Sequence, residues 1–289
     1  MANFGFLLID KPAGITSFNV ISQLRKITSI KRIGHTGTLD PFATGLLPIC
    51  IGSATRLARY VSSARKTYIA TIKFGFLTDT GDITGETVST QPVTGITPSE
   101  MEKAITSILQ LEEQIPPAYS AIKVNGKRAY SLARQGKEVK LAPRPITIYD
   151  FQIIKAEADT LIYQTTVSKG TYIRSLTEQF AALTGNLATT IQLQRSAVDK
   201  LELSQAVKLN ELTADNWQKQ LISPDRVLTL PQLVLSDEEA SRFMNGRFNE
   251  LSFYSEKEFL VIKKSNLQTL GIARLLPGNL LKPDIVLPQ

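Results

Sequence analysis

The sequence is poor in residues that bind metals or form disulfides: its 289 residues include one cysteine, Cys50, and one histidine, His35. A single cysteine cannot form an internal disulfide, which fits a reducing compartment. A zinc site of cysteine and histidine needs about four ligands, so that class of site is excluded. Cys50 lies in the apolar run of residues 46 to 51, and we predict that it is a buried hydrophobic residue rather than a nucleophile.

Long apolar runs are also missing. None approaches the roughly 18 residues of a membrane span. Residues 1 to 10 lack the basic stretch and apolar core of a signal peptide, so we expect a soluble, cytosolic protein. Hydrophobic residues make up 43% of the chain, which is enough for a core, and the length allows one large domain or a larger and a smaller one.

Positive charge is in excess, with 33 Lys and Arg against 26 Asp and Glu and a formal net charge of +7. A basic excess favours a polyanionic partner, because each neutralised phosphate releases counterions. Many basic proteins bind no nucleic acid, so charge alone makes RNA or DNA binding only one hypothesis.

Local patterns predict strands and helices in no strict βαβ order, which favours an α+β fold. Alternating or continuous apolar residues predict strands at residues 6–9, 66–74, 148–155, 161–168, 259–262 and 270–276. Cap residues predict helices that begin at Thr16 or Ser17, at Thr97 and at Ser236, and a further helix carries Ile173, Leu176, Phe180 and Leu183 and ends at Gly185.

Two segments differ from the rest. Residues 116–145 are bracketed by prolines and rich in Lys and Arg, and their length favours a functional excursion from the core over an ordinary solvated loop. Near residues 224–231 the chain becomes linker-like, and the remainder suffices for one small, mostly β module. We therefore predict a first domain at 1–229, with an insertion at 116–145, and a second domain at 230–289.

The most informative segment is RIGHTGTLDPFATG, residues 32–45. Its three glycines and one proline predict a loop with special backbone angles that can pass close to a ligand. Asp40 precedes Pro41, which biases its backbone toward the extended region. On local chemistry alone, an Asx-turn in which Asp40 bonds its own loop is the favoured explanation.

This segment resembles the signature loop of the bacterial TruB-type pseudouridine synthases, whose catalytic aspartate matches Asp40. Four further blocks resemble the family in the same order: DKPAGITS at 10–17, KTY at 66–68, the proline-led stretch 114–123, and SKGTYIRSL at 168–176. One block departs. The family usually has Leu-Arg-Arg-Thr after the last of these, with a His or aromatic upstream, whereas this chain has Leu193-Gln194-Arg195-Ser196 and Thr189. We carry over only Leu193, as a pocket-wall contact.

The resemblance implies isomerisation of uridine to pseudouridine at position 55 in the T-loop of transfer RNA. The N1–C1′ bond breaks, the base turns and C5 joins C1′, so no metal, redox partner or other cofactor is needed. Asp40 would act as nucleophile or base, and Arg174 would hold it ionised. Tyr68 would give the flipped base a stacking face, and its hydroxyl would help to remove the C5 proton.

Three further residues are implied as RNA contacts. His35 would lie beside the flipped nucleotides. Tyr172 would be a second aromatic at the site, although packing behind Arg174 explains it equally well. Lys11 would neutralise a phosphate or brace the loop of Asp40, and a solvated turn lysine is an equal alternative.

The implied architecture is a mixed, mainly antiparallel sheet that lines an RNA cleft, followed by a PUA-like β-barrel. The basic segment 116–145 would be a thumb that closes over an RNA loop. We expect a monomer that binds transfer RNA without an obligatory protein partner. Two alternatives stay open: an RNA-binding or RNA-folding protein without catalysis, and a family member that acts on ribosomal or guided RNA.

Overall fold

The computed structural model describes residues 4–124, 126–137, 139–250 and 257–288. Its helices are α1 (Ser17–Thr28), α2 (Ala58–Ser62), α3 (Pro98–Leu109), α4 (Ala129–Ala133), α5 (Ile173–Leu183), α6 (Pro224–Val227) and α7 (Asp237–Met244). Four 3₁₀ turns lie at Gly52–Leu57, Leu203–Gln205, Leu209–Glu211 and Trp217–Gln220.

The strands of the first part of the chain are β1 (Gly5–Lys11), β2 (Ile33–His35), β3 (Thr44–Ile51), β4 (Lys66–Phe74), β5 (Phe76–Thr78), β6 (Thr87–Thr90), β7 (Glu113–Gln114), β8 (Lys123–Val124), β9 (Lys127–Arg128) and β10 (Arg144–Pro145). The later strands are β11 (Ile148–Ala156), β12 (Thr160–Val167), β13 (Ala188–Val198), β14 (Leu201–Glu202), β15 (Val207–Lys208), β16 (Gln232–Leu235), β17 (Asn249–Glu250), β18 (Glu258–Lys263), β19 (Thr269–Leu276) and β20 (Leu280–Val286).

The predicted helix starts are confirmed by their caps. Thr16, Thr97 and Ser236 each accept a hydrogen bond from the backbone N–H three residues later, and the side chain of that later residue bonds back to the cap. This reciprocal arrangement satisfies donors that a helix N-terminus otherwise leaves without partners. Helix α5 ends at Leu183, and Gly185 follows with a φ of +70°, as a C-terminal glycine does.

A nine-stranded sheet forms the centre of the molecule, in the order β11-β12-β4-β13-β3-β1-β15, with β14 beside β13 and β2 beside β3. Neighbours are antiparallel except at the β13–β3 and β1–β15 contacts. The parallel β13–β3 contact is short and joins Gln194 to Thr44 and Arg195 to Gly45. The sheet therefore consists of two mainly antiparallel halves that meet at this contact, and the predicted α+β fold is confirmed.

Helices α1, α3 and α5 cover one face of this sheet. The face includes Tyr68, Ala70, Ile72 and Phe74 of β4, all buried and all packed in the main core. The alternation predicted for residues 66–74 is confirmed with the same bounds. Tyr68 thus lies on the helix-covered side of the sheet, one strand away from the contact between its two halves.

The basic segment leaves the core on a two-stranded stalk. Strands β7 and β10 pair antiparallel, with Gln114 opposite Arg144, and close the base of the excursion. Beyond the stalk lie the β8–β9 hairpin and the five-residue helix α4. Its cations are all exposed: Lys123, Lys127, Arg128, Arg134, Lys137, Lys140 and Arg144.

The C-terminal segment forms a five-stranded sheet in the order β16-β18-β19-β20-β17, consistent with the predicted PUA-like unit. It has its own small core around Phe243 and Phe259. A second core joins it to the rest: Phe6 and Leu46, on the back of the central sheet, pack in one cluster with Leu260. The two parts of the chain therefore share apolar burial. No helix in the described ranges is both long and apolar enough to cross a membrane.

The shared core predicts that damage in the C-terminal sheet weakens the first part of the chain. Leu260→Ala should lower the free energy of unfolding by about 2–5 kcal/mol, because Leu260 is fully buried and its truncation leaves a cavity. The measurement is urea unfolding monitored by the fluorescence of Trp217, the only tryptophan. This residue is buried in the main core of the first part of the chain.

The control is Leu267→Ala in the same sheet region, where the side chain is 71% exposed and the change should stay within about 0.5 kcal/mol. An unchanged Trp217 midpoint in folded Leu260→Ala would show that the two parts unfold independently.

Candidate active site

The loop that carries Asp40 connects β2 to β3 and is held by the turn between β1 and α1. The Ser17 hydroxyl accepts the backbone N–H of Leu39 at 2.9 Å and donates to the Leu39 carbonyl at 3.1 Å. The Gly14 N–H donates to the carbonyl of Pro41 at 2.8 Å. The backbone groups of both neighbours of Asp40 in the chain are therefore held by hydrogen bonds. Sequence reasoning grouped Ser17 with the opening motif but did not identify this contact.

Gly45 ends the loop at the contact between the two halves of the sheet. Its φ is +100°, and a Cβ atom placed there would come within 2.4 Å of the carbonyl oxygen of Arg195. Only glycine tolerates both the left-handed backbone and the close approach. The glycine at this position lets β3 begin directly against β13 and so fixes the end of the loop that carries Asp40.

Asp40 and Arg174 form the central ion pair of the site. The Arg174 Nε lies 2.9 Å from Asp40 Oδ2, and the side chains are 4% and 34% exposed. Arg174 lies in the first turn of α5, two residues after Tyr172, which occupies the N-cap position without a side-chain capping bond. The structure thus brings together two residues that are 134 positions apart, with the guanidinium buried and the carboxylate open on one side.

Arg174 is held by three further contacts. Its Nη1 donates to the carbonyl of Thr80 at 2.5 Å and lies 3.6 Å from Oδ2 of Asp82, and its Nη2 donates to the carbonyl of Tyr119 at 3.0 Å. Asp82 is 5% exposed and was missed by sequence reasoning. Its signal was the turn TDTGD at residues 78–82, in which the Asp82 carboxylate also accepts bonds from Thr84.

The surroundings of Asp40 act on its pKa in opposite directions. Burial raises the pKa of the Asp40 carboxyl, the Arg174 guanidinium lowers it, the nearby Asp82 carboxylate raises it, and Lys11 lowers it. The net direction is upward. The guanidinium is the largest influence that favours the charged carboxylate, and a charged carboxylate is what nucleophilic or base chemistry requires.

Lys11 braces the loop from below. Its side chain is fully buried, and its Nζ donates to the carbonyls of Pro12 and Ile15, both at 2.8 Å, and to that of Pro41 at 3.2 Å. Burial lowers the pKa of Lys11 to about 8, against the raising influence of Asp40. Of the roles expected for Lys11, this geometry favours the brace. It disfavours both a phosphate contact and a solvated turn lysine, because a fully buried ammonium reaches neither a phosphate nor bulk water.

Tyr68 reaches the loop through Arg195. The two residues are directly opposite each other on β4 and β13, and the Arg195 Nη1 lies 3.5 Å from the Tyr68 hydroxyl. Leu193, two residues earlier on β13, is 6% exposed and lies opposite Ala70. Tyr68 and Leu193 thus stand on adjacent strands beside the loop. Sequence reasoning left Arg195 without a role, and in the structure this residue links strands β4 and β13 to the loop of Asp40.

His35 and Tyr172 lie at the edges of the site. His35 ends β2, and its Nδ1 is buried without a hydrogen-bond partner among the described residues. Burial lowers the pKa of His35, and Arg195 lowers it further, so the ring is neutral near pH 7. Tyr172 is half-buried, and both its backbone N–H and its carbonyl bond the side chain of Gln114. Gln114, at the base of the thumb stalk, therefore positions the start of α5.

The arrangement suits chemistry by one carboxylate. The partly exposed carboxylate of Asp40 pairs with a buried guanidinium, and the buried Tyr68 lies nearby on β4. Within the described ranges, no group of three or more His, Cys, Asp or Glu side chains is placed to hold a metal ion.

Comparisons with known proteins place this chain among relatives of known family. Residues 25–173 match the model of the TruB family pseudouridylate synthase N-terminal domain. The chain is 38% identical over 298 residues to tRNA pseudouridine synthase B of Bacillus cytotoxicus, covering 98% of this chain and 97% of that protein. It is 45% identical over 224 residues to the enzyme of the same name from Clostridium novyi, covering 78% and 77%.

Solved structures show the same fold at lower identity. The crystal structure of a Cbf5-Nop10-Gar1 complex matches with a TM-score of 0.72 and 20% identity, covering 96% of this chain and 80% of that chain. An H/ACA RNP bound to a substrate RNA containing 2'-deoxyuridine matches with a TM-score of 0.71 and 20% identity, covering 99% and 86%.

Substitutions around Asp40 should move its pKa in opposite directions. Arg174→Met should raise the pKa of Asp40 further, because it removes the guanidinium that favours the carboxylate. Asp82→Asn should lower it, because it removes a neighbouring negative charge. A carboxyl with a raised pKa keeps its proton to higher pH, so the Arg174→Met carboxyl should titrate later than that of the unsubstituted protein.

The measurement is carbon-13 NMR titration of the aspartate carboxyl signals, with the Asp40 signal assigned from its absence in Asp40→Asn. A titration of Asp40 that stays the same in both variants would contradict the electrostatic description of this site.

Proposed function

Because the chain belongs to the TruB family of pseudouridylate synthases, we propose that it isomerises uridine 55 in the T-loop of transfer RNA to pseudouridine, with Asp40 as the catalytic carboxylate. The observation that carries this proposal is the ion pair between Asp40 and the buried Arg174. A carboxylate must be ionised to act as nucleophile or base, and a fixed guanidinium favours that state. The 34% exposure of the Asp40 side chain leaves it accessible to a substrate.

The uridine must leave its stack to reach Asp40, since a stacked base hides its sugar carbon from the protein. Tyr68 and Leu193 form the wall against which the flipped base rests. The Tyr68 ring is only 7% exposed, so the base meets it from the side of the catalytic loop. Its hydroxyl lies 3.5 Å from Nη1 of Arg195 and is the group we assign to removal of the C5 proton.

RNA binding is assigned to the surfaces around this cleft. The seven exposed cations of the thumb suit a phosphate backbone, and each neutralised phosphate adds affinity that falls with salt. His35, neutral near pH 7, and Tyr172 border the site as contacts for the nucleotides beside the flipped base. The C-terminal sheet is the second RNA-binding unit in this proposal, with the boundary near residue 229.

We propose that the chain acts as a monomer in the cytoplasm, where transfer RNA is found. One chain brings Asp40, Arg174 and Tyr68 together, so no partner has to complete the site. Light scattering with an activity assay on the purified chain tests this. A dimer, or a need for a second protein, would contradict it.

An RNA-binding protein without catalysis is the rival proposal. The thumb would serve it equally well. The two carboxylates of Asp40 and Asp82 beside one guanidinium do not suit a protein that only binds RNA, because negative charge in the cleft repels phosphate. A target in ribosomal or guided RNA is less favoured, since the relatives that match most of this chain are named for transfer RNA.

Asp40→Asn should abolish isomerisation while transfer RNA binding survives. Asparagine keeps the size of the side chain but loses the charge that attack or proton transfer requires. The measurement is tritium release from transfer RNA with C5-labelled uridine, beside a binding isotherm. Asp159→Asn, an aspartate at an exposed turn with its side chain 51% exposed, is the control and should keep wild-type turnover. Full turnover in Asp40→Asn would overturn the assignment.

Tyr68→Phe should lower the single-turnover rate by at least about 100-fold, in the range of lost general acid–base catalysis. The ring stays, so binding of the flipped base should change little. Tyr68→Leu should lose both the hydroxyl and the ring and should also weaken binding. If both variants react at the wild-type rate, Tyr68 is only a core residue and the proposed wall of the site is wrong.

A further inference from the structure

Arg195 is one of the most buried charged residues of the chain, with 1% of its surface exposed. It lies on β13 at the place where the two halves of the sheet meet. Its backbone pairs with Gly45 of β3 on one side and Tyr68 of β4 on the other. The guanidinium therefore starts from a position between the strand that follows the catalytic loop and the strand that carries the tyrosine.

A backbone carbonyl at each end of the loop accepts a hydrogen bond from this guanidinium. The Arg195 Nε donates to the carbonyl of Leu46 at 2.7 Å, and its Nη2 donates to the carbonyl of Gly37 at 3.0 Å. Asp40 lies between these two residues in the chain. The remaining nitrogen, Nη1, lies 3.5 Å from the hydroxyl of Tyr68. One rigid, planar group thus contacts both flanks of the loop and the tyrosine.

Charge pairing does not account for Arg195. In the described part of the chain its hydrogen-bond partners are two carbonyls and a phenol oxygen rather than a carboxylate. Burying a guanidinium without a counterion is unfavourable, and nearby Lys11 and Lys66 add repulsion, since Arg195 lowers the pKa of both. What a guanidinium supplies here is a fixed fork of donors with defined directions, which a lysine lacks.

We propose that Arg195 is a positioning residue that fixes the catalytic loop relative to Tyr68. This role of Arg195 rests on the proposed roles of Asp40 and Tyr68. Arg174 sets the charge of Asp40 from the α5 side, and Arg195 sets the distance of its loop from the tyrosine on the β13 side. Neither the carboxylate of Asp40 nor the substrate has to contact Arg195 for this role.

The test is the single-turnover rate of Arg195→Met at saturating transfer RNA, beside its affinity for the RNA. Methionine fills similar space but donates no hydrogen bond. A loop displaced by about 1 Å loses on the order of 100-fold in rate, while affinity should stay within about threefold because the RNA-binding surfaces are unchanged. Ser196→Ala, the next residue of the same strand, removes a single bond to the Thr67 carbonyl and should keep the wild-type rate.

A merely structural role is distinguished by folding and by rescue. All rates are measured well below the midpoint of a cooperative melt of each variant. Arg195→Lys keeps the charge but offers one donor centre, so we expect a rate about tenfold below wild type at unchanged affinity. If Arg195→Met does not fold, Arg195→Lys carries the test, and a rate within about twofold of wild type in it overturns the proposal.

The link to Tyr68 is tested by combining substitutions. If Arg195 acts partly through the tyrosine hydroxyl, Tyr68→Phe and Arg195→Lys should slow the reaction together by less than the product of their separate effects. Fully multiplicative effects would contradict that link. An active Asp40→Asn would instead overturn the proposed function itself, so the two failures are distinguishable.

Discussion

Arg174 carries a buried guanidinium that contacts three other segments of the chain, and the ionisation of the Asp40 carboxyl depends on this charge. The loop that carries Asp40, the turn at residues 78–82 and the start of the basic segment at Tyr119 all contact this one side chain. Two carboxylates, those of Asp40 and Asp82, share its single positive charge. A charge buried without compensation is strongly destabilising, so the three segments cannot separate freely from α5.

The architecture of the sheet explains why the site lies where it does. The two halves of the sheet are joined by only two residue pairs of β13 and β3, and one of these pairs includes Gly45, where the loop that carries Asp40 ends. The loop from β2 to β3 contacts Ser17 of α1 through Leu39 and Arg174 of α5 through Asp40. Hydrogen bonds to the Ser17 hydroxyl and from the Gly14 N–H hold the loop from the α1 side. Reactive groups on a loop gain precision when rigid elements on both sides support them.

Regular elements with simple patterns were predictable from the sequence. Strand β4 alternates cleanly and was predicted with the bounds it has, and three helix starts followed from capping residues. Strand β13, at the centre of the sheet, was not predicted. Its buried positions include Thr189, Thr190 and Arg195, whose polar atoms find partners across the fold. A strand with polar residues facing inward lacks the apolar signal on which the prediction depends.

Strand β20 was missed for a different reason. Pro283 interrupts its pattern, and a proline inside a run argues against a strand. In the structure Pro283 falls at a register shift between β19 and β20, where a missing donor is tolerated.

The site itself was predictable only where a family resemblance supplied it. Local chemistry favoured an Asx-turn for Asp40, and nothing in the spacing of residues 40 and 174 indicated an ion pair. Asp82 and Arg195 escaped because their roles arise from contacts between distant segments. Such contacts follow from the fold and leave no mark on neighbouring residues.

The shared core behind the sheet changes how the C-terminal unit is to be understood. Leu46 packs with Leu260 in that core, and the carbonyl of the same Leu46 accepts the bond from Arg195. The backbone at the end of the loop that carries Asp40 is thus supported on one side by a guanidinium and on the other by apolar side chains of the C-terminal sheet. Loss of that apolar support would expose Phe6 and Leu46 to water, at roughly 25 cal/mol for each Å² uncovered. The C-terminal unit therefore supports the backbone of the loop, whatever RNA-binding surface it also offers. Only substitutions on its outer face can separate RNA binding from this support.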